Sequence, residues 1–227
     1  IATVANPAQI LQTIPTAFDL GGGNVGMPHD LDSCVRLAAM GLRPPSPIEY
    51  YYHWPREQSL VPKPFDHQPV TAGFLLSNPH AYCLNGIGTG KTLTAAWAAD
   101  YLMSTGAGRK AIVIAPLSSL ERAWADTLFY HFRHRKAVVL HGSAARRKKL
   151  LAQPYDFYII NHEGIGVVEK ELALRDDIDI WIIDELAEYR NKQTAKWKSL
   201  NALLWPDPKT KRPPKPWVWG LTGAPRP

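Results

Sequence analysis

The stretch AYCLNGIGTGKTLTAAWAADYL, residues 81–102, decides the fold. An apolar run from Ala81 to Leu84 feeds a glycine-rich loop, Asn85 to Thr92, and the loop opens into a helix-forming segment. Strand, loop and helix in that order build a cradle for a triphosphate, with consecutive backbone N–H groups turned inward and the positive end of a helix dipole behind them. Asn85, Gly86, Ile87, Gly88, Thr89 and Gly90 would wrap the phosphates. Lys91 would reach the β- and γ-phosphates, and the Thr92 hydroxyl would hold Mg²⁺. The first loop position is usually Gly or Ala; here it is Asn85, a residue that tolerates left-handed backbone better than most. The competing reading is an ordinary glycine turn, and the strand before and helix after weigh against it.

Working outward, the texture of the chain changes near Phe65. Before it the sequence is rich in Pro and Gly, with GGG at Gly21 to Gly23 and PPSP at Pro44 to Pro47. Regular structure there should be short. One helix is expected from Asp30 or Asp32 as N-cap to Met40, with Gly41 just beyond its end. The aromatic run IEYYYHWP predicts a strand pair or a clamp docked on the main domain. After Phe65, apolar strands alternate with helices. The strands are Ala81–Leu84, Ala111–Ala115, Ala137–Leu140, Phe157–Ile160, Ile178–Ile183 and Trp217–Leu221. The helices are Gln68–Ser77, Lys91–Ser104, Ser119–His131, Ser143–Leu151, Ile165–Leu174 and Thr194–Leu204. Short continuous apolar strands between helices predict a parallel sheet covered on both faces. The fold class is therefore α/β, doubly wound, with ligands at the carboxyl ends of the strands. Residues 1–60 form an extension and residues 61–227 the main domain.

A second phosphate-site signal lies in IDIWIIDEL, Ile178 to Leu186, an apolar strand ending in two adjacent carboxylates. The strand beside a phosphate loop must end in an acid to complete the Mg²⁺ shell, and Asp184 takes that role. Glu185, one residue on, is placed to orient and deprotonate a water attacking the γ-phosphate, which points to hydrolysis. Without the upstream loop, a helix cap would explain the pair equally well. Asp176, Asp177 and Asp179 read as a solvated turn.

Composition agrees with a globular protein of 227 residues, 45% hydrophobic and 20% charged. The net charge of +6 favours a polyanionic partner such as nucleic acid. Cys34 and Cys83 are too few for a disulfide framework or a metal cluster, which fits a reducing compartment. No apolar run approaches about 18 residues, so no membrane span is expected. His141 and His162 have no metal-ligand pattern between them. Ser118, Ser119 and Ser143 lack the context of a nucleophile.

With GTGKT and IIDE in order, the remaining strand ends resemble one family: the first RecA-like lobe of superfamily-two helicases and translocases, closest to the Swi/Snf-related branch and its phage-encoded relatives. FDHQ, Phe65 to Gln68, looks like the segment whose glutamine reads the adenine edge. APLSSL, Ala115 to Leu120, is similar to the family's APLSLL-type motif, with Trp124 where a tryptophan is common. HGS at His141 to Ser143 and INHEGI at Ile160 to Ile165 occupy strand ends that touch the nucleic-acid backbone in the family. LTGAP, Leu221 to Pro225, resembles the coupling motif LTGTP. The resemblance thus implies ATP and Mg²⁺ as cofactors, nucleic-acid contacts at Pro116, Leu117, Ser118, His141, Gly142, Asn161 and His162, and coupling through Thr222 and Gly223. Double-stranded DNA is the favoured track, and the cytoplasm of a bacterial or phage-infected cell, or a nucleus, the expected setting. The acidic motif departs from the family: DELAEYRN places Ala187 where a histidine is common, Glu188 for an arginine and Arg190 for a lysine.

The family's second RecA-like lobe, which supplies arginines to the transition state, has no counterpart before Pro227. The sequence thus reads as part of a longer enzyme that alone binds ATP weakly and hydrolyses it slowly. ARRKKLL, Ala145 to Leu151, places Arg146 and Arg147 beside the HGS strand end, and PKTKRPPKP, Pro208 to Pro216, is a second basic loop. Both suit phosphate contact and both suit a solvated basic face. Two further function classes stay open. One is an unrelated P-loop ATPase or kinase; the other is a basic nucleic-acid-binding module with a vestigial nucleotide site.

Overall fold

The computed structural model describes residues 1–55, 63–210 and 212–223. The expected boundary between residues 60 and 61, Lys211 of the second basic loop, and Ala224 and Pro225 of the coupling motif lie outside the described residues. In chain order the elements are β1 (Ala2–Thr3), α1 (Pro7–Thr13), β2 (Phe18–Gly21), β3 (Asn24–Gly26), α2 (Leu31–Ala39), α3 (Pro47–Tyr51), α4 (His67–Ser77), β4 (His80–Cys83), α5 (Lys91–Thr105) and β5 (Ala111–Ala115). A π-helical turn, Leu120–Ala125, runs into α6 (Asp126–His131). Then follow β6 (Ala137–Val139), α7 (Ala144–Leu151), β7 (Phe157–Asn161), α8 (Ile165–Ala173), β8 (Ile180–Asp184), α9 (Ala195–Leu204) and β9 (Trp217–Leu221).

The main domain is a 6-stranded sheet in the order β4-β9-β8-β5-β7-β6, with every described pairing parallel. Although its strands read as continuous apolar runs, consecutive side chains serve two separate cores, as the pleat requires. Ala111, Val113, Phe157, Ile159, Ile180, Ile182, Trp217 and Trp219 face the core formed with α4, α5 and the π turn. Ile112, Ile114, Tyr158, Ile160, Trp181, Ile183 and Val218 face the core formed with α8 and α9. Trp97, Trp124, Trp181 and Trp219 are fully buried, each contributing about 3 kcal/mol of transfer free energy.

Of the acidic turn before β8 only Asp176 is exposed as its composition suggests. Asp179 is buried and accepts hydrogen bonds from the Arg109 backbone N–H (2.9 Å), Nε (2.8 Å) and Nη2. Asp177 is paired with Lys110 (2.7 Å) and Arg175 (2.5 Å). Burial works against its charge, but the two cations outweigh burial and hold its carboxyl well below the usual carboxylate range. These pairs fix the start of β8 against the segment entering β5, which sets the register on which the site at the other end depends.

The extension contains more structure than its composition suggests. β1, β3 and β2 form a 3-stranded antiparallel sheet, and Gly21, Gly22 and Gly23 all take positive φ in its turn. Ile10, Ile14, Val25 and Leu37 form a small core of their own. The helix α2 is capped by Asp30, whose side chain accepts the Ser33 N–H at 2.8 Å, and Gly41 follows it at φ 80°. IEYYYHWP, in contrast, begins as the helix α3 and not as a strand pair. Pro47 stands in its first turn, and the Glu49 carboxylate accepts the Ser46 backbone N–H at 2.8 Å. This local capping outweighs the strand preference of the tyrosines. Beyond α3 the clamp reading holds: Trp54 packs edge-on against Trp97 (5.2 Å), and the Tyr52 hydroxyl donates to Asp100 Oδ2 (2.6 Å). Asp100, buried in α5, also accepts from Arg135 Nε (2.6 Å) and pairs with His134 (2.8 Å).

Candidate functional site

The strand order distributes the sequence motifs along the carboxyl edge of the sheet in two groups. β4, β9 and β8 end in the glycine-rich loop, Thr222 and the Asp184–Glu185 pair. The neighbouring β5, β7 and β6 end in Pro116, Asn161 and the His141–Gly142 turn.

In the first group the loop turns into α5 at Gly90, which adopts φ 74°, as Gly88 adopts φ 77°. Gly90 has no room for a side chain, since a Cβ there would lie 2.4 Å from Gln68 Nε2. Lys91 folds back over the loop and donates from Nζ to the Asn85 carbonyl (2.9 Å) and the Gly86 carbonyl (2.7 Å). Asn85 is tied to Thr71 (3.3 Å) and the Thr89 hydroxyl donates to the Gly86 carbonyl (2.8 Å). The loop is therefore ordered by its own side chains. Ile87 at its tip is 86% exposed.

Gln68 is 3% exposed. Its Oε1 accepts the Phe65 N–H (2.8 Å), while Nε2 donates to the Gly90 carbonyl (3.2 Å) and Thr94 Oγ1 (3.3 Å). Its amide thus braces the loop in this conformation. The exposed ring of Phe65 stacks on His67 at 5.8 Å and 14°, and His67 in turn contacts the Thr89 carbonyl (2.9 Å). Sequence reasoning missed His67 and Thr71 as loop supports.

Asp184 closes β8, which is one strand removed from the loop's β4 and not adjacent to it as the sequence suggests, because β9 is inserted between them. Its Oδ2 accepts the Trp124 indole N–H (2.9 Å) and its Oδ1 the Glu185 backbone N–H (3.0 Å). Burial raises its carboxyl above the ordinary value and the Glu185 charge adds to this, while the two donors and the Lys91 charge oppose it. Glu185 adopts left-handed backbone at φ 52°, an uncommon conformation for a non-glycine residue. Its Oε1 accepts the Thr222 hydroxyl at 3.2 Å. Thr222 N donates to the Cys83 carbonyl (3.1 Å), and a Cβ on Gly223 would lie 3.3 Å from Lys91 Nζ. Thr222 thus joins Glu185 directly, and the following Gly223 lies against the loop lysine. Ala187 supplies no side chain here, and a groove of about 520 Å³ opens beside it and Thr222, lined also by Tyr82, Leu186, Trp197 and Trp205.

The donor set suits a nucleotide with a small hard cation. Lys91 and the loop N–H groups meet phosphate charge, and Thr92 and Asp184 offer oxygen ligands. Among the described residues no group of three or more His, Cys, Asp or Glu side chains could hold a metal by itself. No described helix is long and apolar enough to cross a membrane.

In the second group, Leu117 is 58% exposed and Ser118 is exposed, on a turn closed by the Ser119 N–H to the Pro116 carbonyl (2.9 Å). Gly142 adopts φ 96°. Arg147 spans two strand ends, donating from Nε to the Gly142 carbonyl (3.0 Å) and from Nη1 to Asn161 Oδ1 (2.9 Å). Arg146, Lys148 and Lys149 are exposed on the same helix, with Lys148 paired to Glu171 (2.7 Å). Two expected contact residues are turned inward: Asn161 is 7% exposed, its amide also donating to Glu163 Oε2 (3.1 Å), and His162 is 2% exposed, its Nδ1 meeting the Tyr189 hydroxyl (3.1 Å). Its ring is turned into the protein because Tyr189, from the turn after Glu185, covers it edge-on at 5.2 Å. Burial pushes its imidazole below the ordinary value, against the charges of Glu163, Glu188 and Glu185. The helix expected from Ser119 begins with the π turn. Leu120, Trp124, Leu128 and Phe132, four residues apart and all buried, share one face, a spacing that an α-helix serves equally well, so nothing in the sequence announced the π turn.

A solved structure similar in fold is the Sulfolobus solfataricus SWI2/SNF2 ATPase core in complex with dsDNA. The TM-score is 0.61 at 20% identity, over 77% of this chain and 35% of that one. No curated protein matches the chain in sequence. The architecture is that of a RecA-like helicase lobe. A family model described as DEAD/DEAH box helicase matches residues 67–216, from the first residue of α4 to the threshold of β9, and the chain belongs to that family.

Proposed function

We propose that this chain is the first motor lobe of an ATP-dependent nucleic-acid translocase or helicase, with double-stranded DNA as the favoured track. The observation that carries the reading is the division of the sheet edge: phosphate-facing and acidic groups at β4, β9 and β8, exposed turns and cations at β5, β7 and β6. On ATP binding, Lys91 exchanges the Asn85 and Gly86 carbonyls for β- and γ-phosphate oxygens, and the loop N–H groups take the remaining phosphate charge. Thr92 and Asp184 would hold Mg²⁺, which would supply positive charge to the phosphates. Glu185 orients the attacking water and accepts its proton, held in place through the Thr222 hydroxyl.

Pro116, Leu117, Ser118, His141 and Gly142 line the backbone of the nucleic acid, with Arg146 and Arg147 at the flank and the buried Asn161 behind them, bonded to Arg147. The SWI2/SNF2 core of similar fold carries double-stranded DNA in its own structure, which favours duplex as the track. The site's groups come from one side, and Ile87 stands exposed at the loop tip. A second RecA-like lobe is the proposed source of the charges that complete it.

Lys91→Ala in the full-length protein tests the reading. Loss of ATP binding together with DNA-stimulated turnover supports a motor. DNA affinity kept in the absence of any ATP binding by the unmodified chain points instead to a basic binding module.

A further inference from the structure

The carboxylate of Asp184 is held by two donors of unequal origin. The Glu185 N–H is the next backbone group and accompanies the β8 terminus wherever it goes. The Trp124 indole N–H comes from the neighbouring strand's crossover, on the π turn after β5, and reaches Oδ2 at 2.9 Å. Trp124 is fully buried within the core that includes Leu120, Leu128 and Phe132, so its ring has no other place to go. An indole N–H donates and cannot accept, so the bond has a single polarity, with Asp184 Oδ2 as the acceptor. With one oxygen bound from each side, rotation of the carboxylate about its own axis breaks both bonds at once. Trp124 stands within the π turn, whose i→i+5 bonding is seen in the Asp126 N–H to Glu121 carbonyl link, and it shares a buried face with Leu120 and Leu128.

We infer that Trp124 is a positioning residue for Asp184: its indole N–H fixes the plane of the metal-side carboxylate before nucleotide and cation arrive. The inference rests on the reading of Asp184 as the Mg²⁺-side acid. Groups that orient a metal-side carboxylate without touching the metal typically account for about 10- to 100-fold in metal affinity.

The test measures binding of a fluorescent ATP analogue to the 227-residue chain, once with Mg²⁺ and once with EDTA, the ratio of affinities giving the metal's contribution. Trp124→Phe keeps an aromatic ring and deletes the N–H. The expected result is a ratio lowered by about tenfold or more, with the EDTA affinity unchanged. Asp184→Asn serves as the reference and should abolish the metal's contribution. If Asp184→Asn keeps the unmodified ratio, or the unmodified chain shows no effect of Mg²⁺, the metal reading of Asp184 fails and the inference falls with it. If Asp184→Asn loses the ratio while Trp124→Phe keeps it, the inference alone is wrong. Equal losses with and without Mg²⁺ would make Trp124 a packing residue and also overturn it. Should Trp124→Phe not fold, the indole ¹⁵N–¹H resonance of Trp124 in the unmodified chain decides. A shift on adding Mg²⁺ to the nucleotide complex, with slow solvent exchange, supports the inference; an unmoved or freely exchanging resonance refutes it.

Discussion

The two halves of the sheet edge solve opposite problems. At β4, β9 and β8 the functional groups are turned inward and already bonded: Lys91 to its own loop, Gln68 to Gly90, Asp184 to Trp124, Glu185 to Thr222. At β5, β7 and β6 the expected contact groups stand mostly in solvent, on turns whose shape is held from behind by Arg147 and Asn161. A site that must place a few atoms for chemistry benefits from constraint. A surface that must accept any base sequence needs charge and exposed backbone more than fixed side chains. At this carboxyl edge two of the side-chain hydrogen bonds described above cross from one half to the other, Trp124 to Asp184 and His162 to Tyr189.

The contrast can be broken most severely at Glu185. In the full-length protein, Glu185→Gln should lower DNA-stimulated ATP turnover by about 10²- to 10⁴-fold while nucleotide binding persists; unchanged turnover in a steady-state assay would remove Glu185 as the base. Next in size is a pair of glycine substitutions, one in each half. Gly90→Ala forces φ 74° on a side chain and drives its Cβ to 2.4 Å from buried Gln68, so urea unfolding should reveal a loss of about 2–3 kcal/mol. Gly142→Ala meets only the flexible Arg146 side chain, at 3.1 Å, and should cost about 1 kcal/mol. Equal costs would mean that the two halves are equally constrained.

A smaller effect is expected on the exposed side. Arg146→Ala should reduce the slope of log DNA affinity against log salt by about 0.9 and leave ATP-analogue binding unchanged. An unaltered slope would assign this helix face to solvent. The smallest is a pH effect on the second crossing bond. His162 is neutral in the fold because burial lowers its imidazole below 6.5, whereas the unfolded chain takes up a proton near that value. The folded state therefore loses stability as pH falls through about 6.5 and keeps it above. Thermal melts of the unmodified chain and of His162→Gln across roughly pH 5 to 8 should diverge on the acid side; parallel curves would show that the ring is not held neutral.

Much of this was readable from residue order. The apolar runs separated by helical segments specify the parallel sheet because each strand is buried on both faces, and GTGKT and IIDE mark their sites because backbone turn and acid must stand at strand ends. What escaped the sequence was whatever depended on contacts distant along the chain. Asp177 and Asp179 read as solvated until Arg175, Lys110 and Arg109 were brought beside them. His162 read as a surface contact until Tyr189 covered it. The strand pair expected of the tyrosines failed for a local reason that was in plain view, the Ser46, Pro47 and Glu49 pattern of a helix start. The sheet of the extension was hidden because its strands are short and glycine-rich, with little apolar alternation to announce them.

Asp100 gives the extension a claim on the motor's integrity. A chain trimmed to the family-matched region would bare Trp97 to water and strip the Tyr52 donor from a buried carboxylate, nine residues along the same helix that starts at Lys91. For anyone engineering a smaller version, the family boundary is therefore the wrong place to cut. A shortened protein keeping every motif would still begin with a frayed hydrophobic surface and an acid short of one partner, and would be expected to aggregate before it could be assayed.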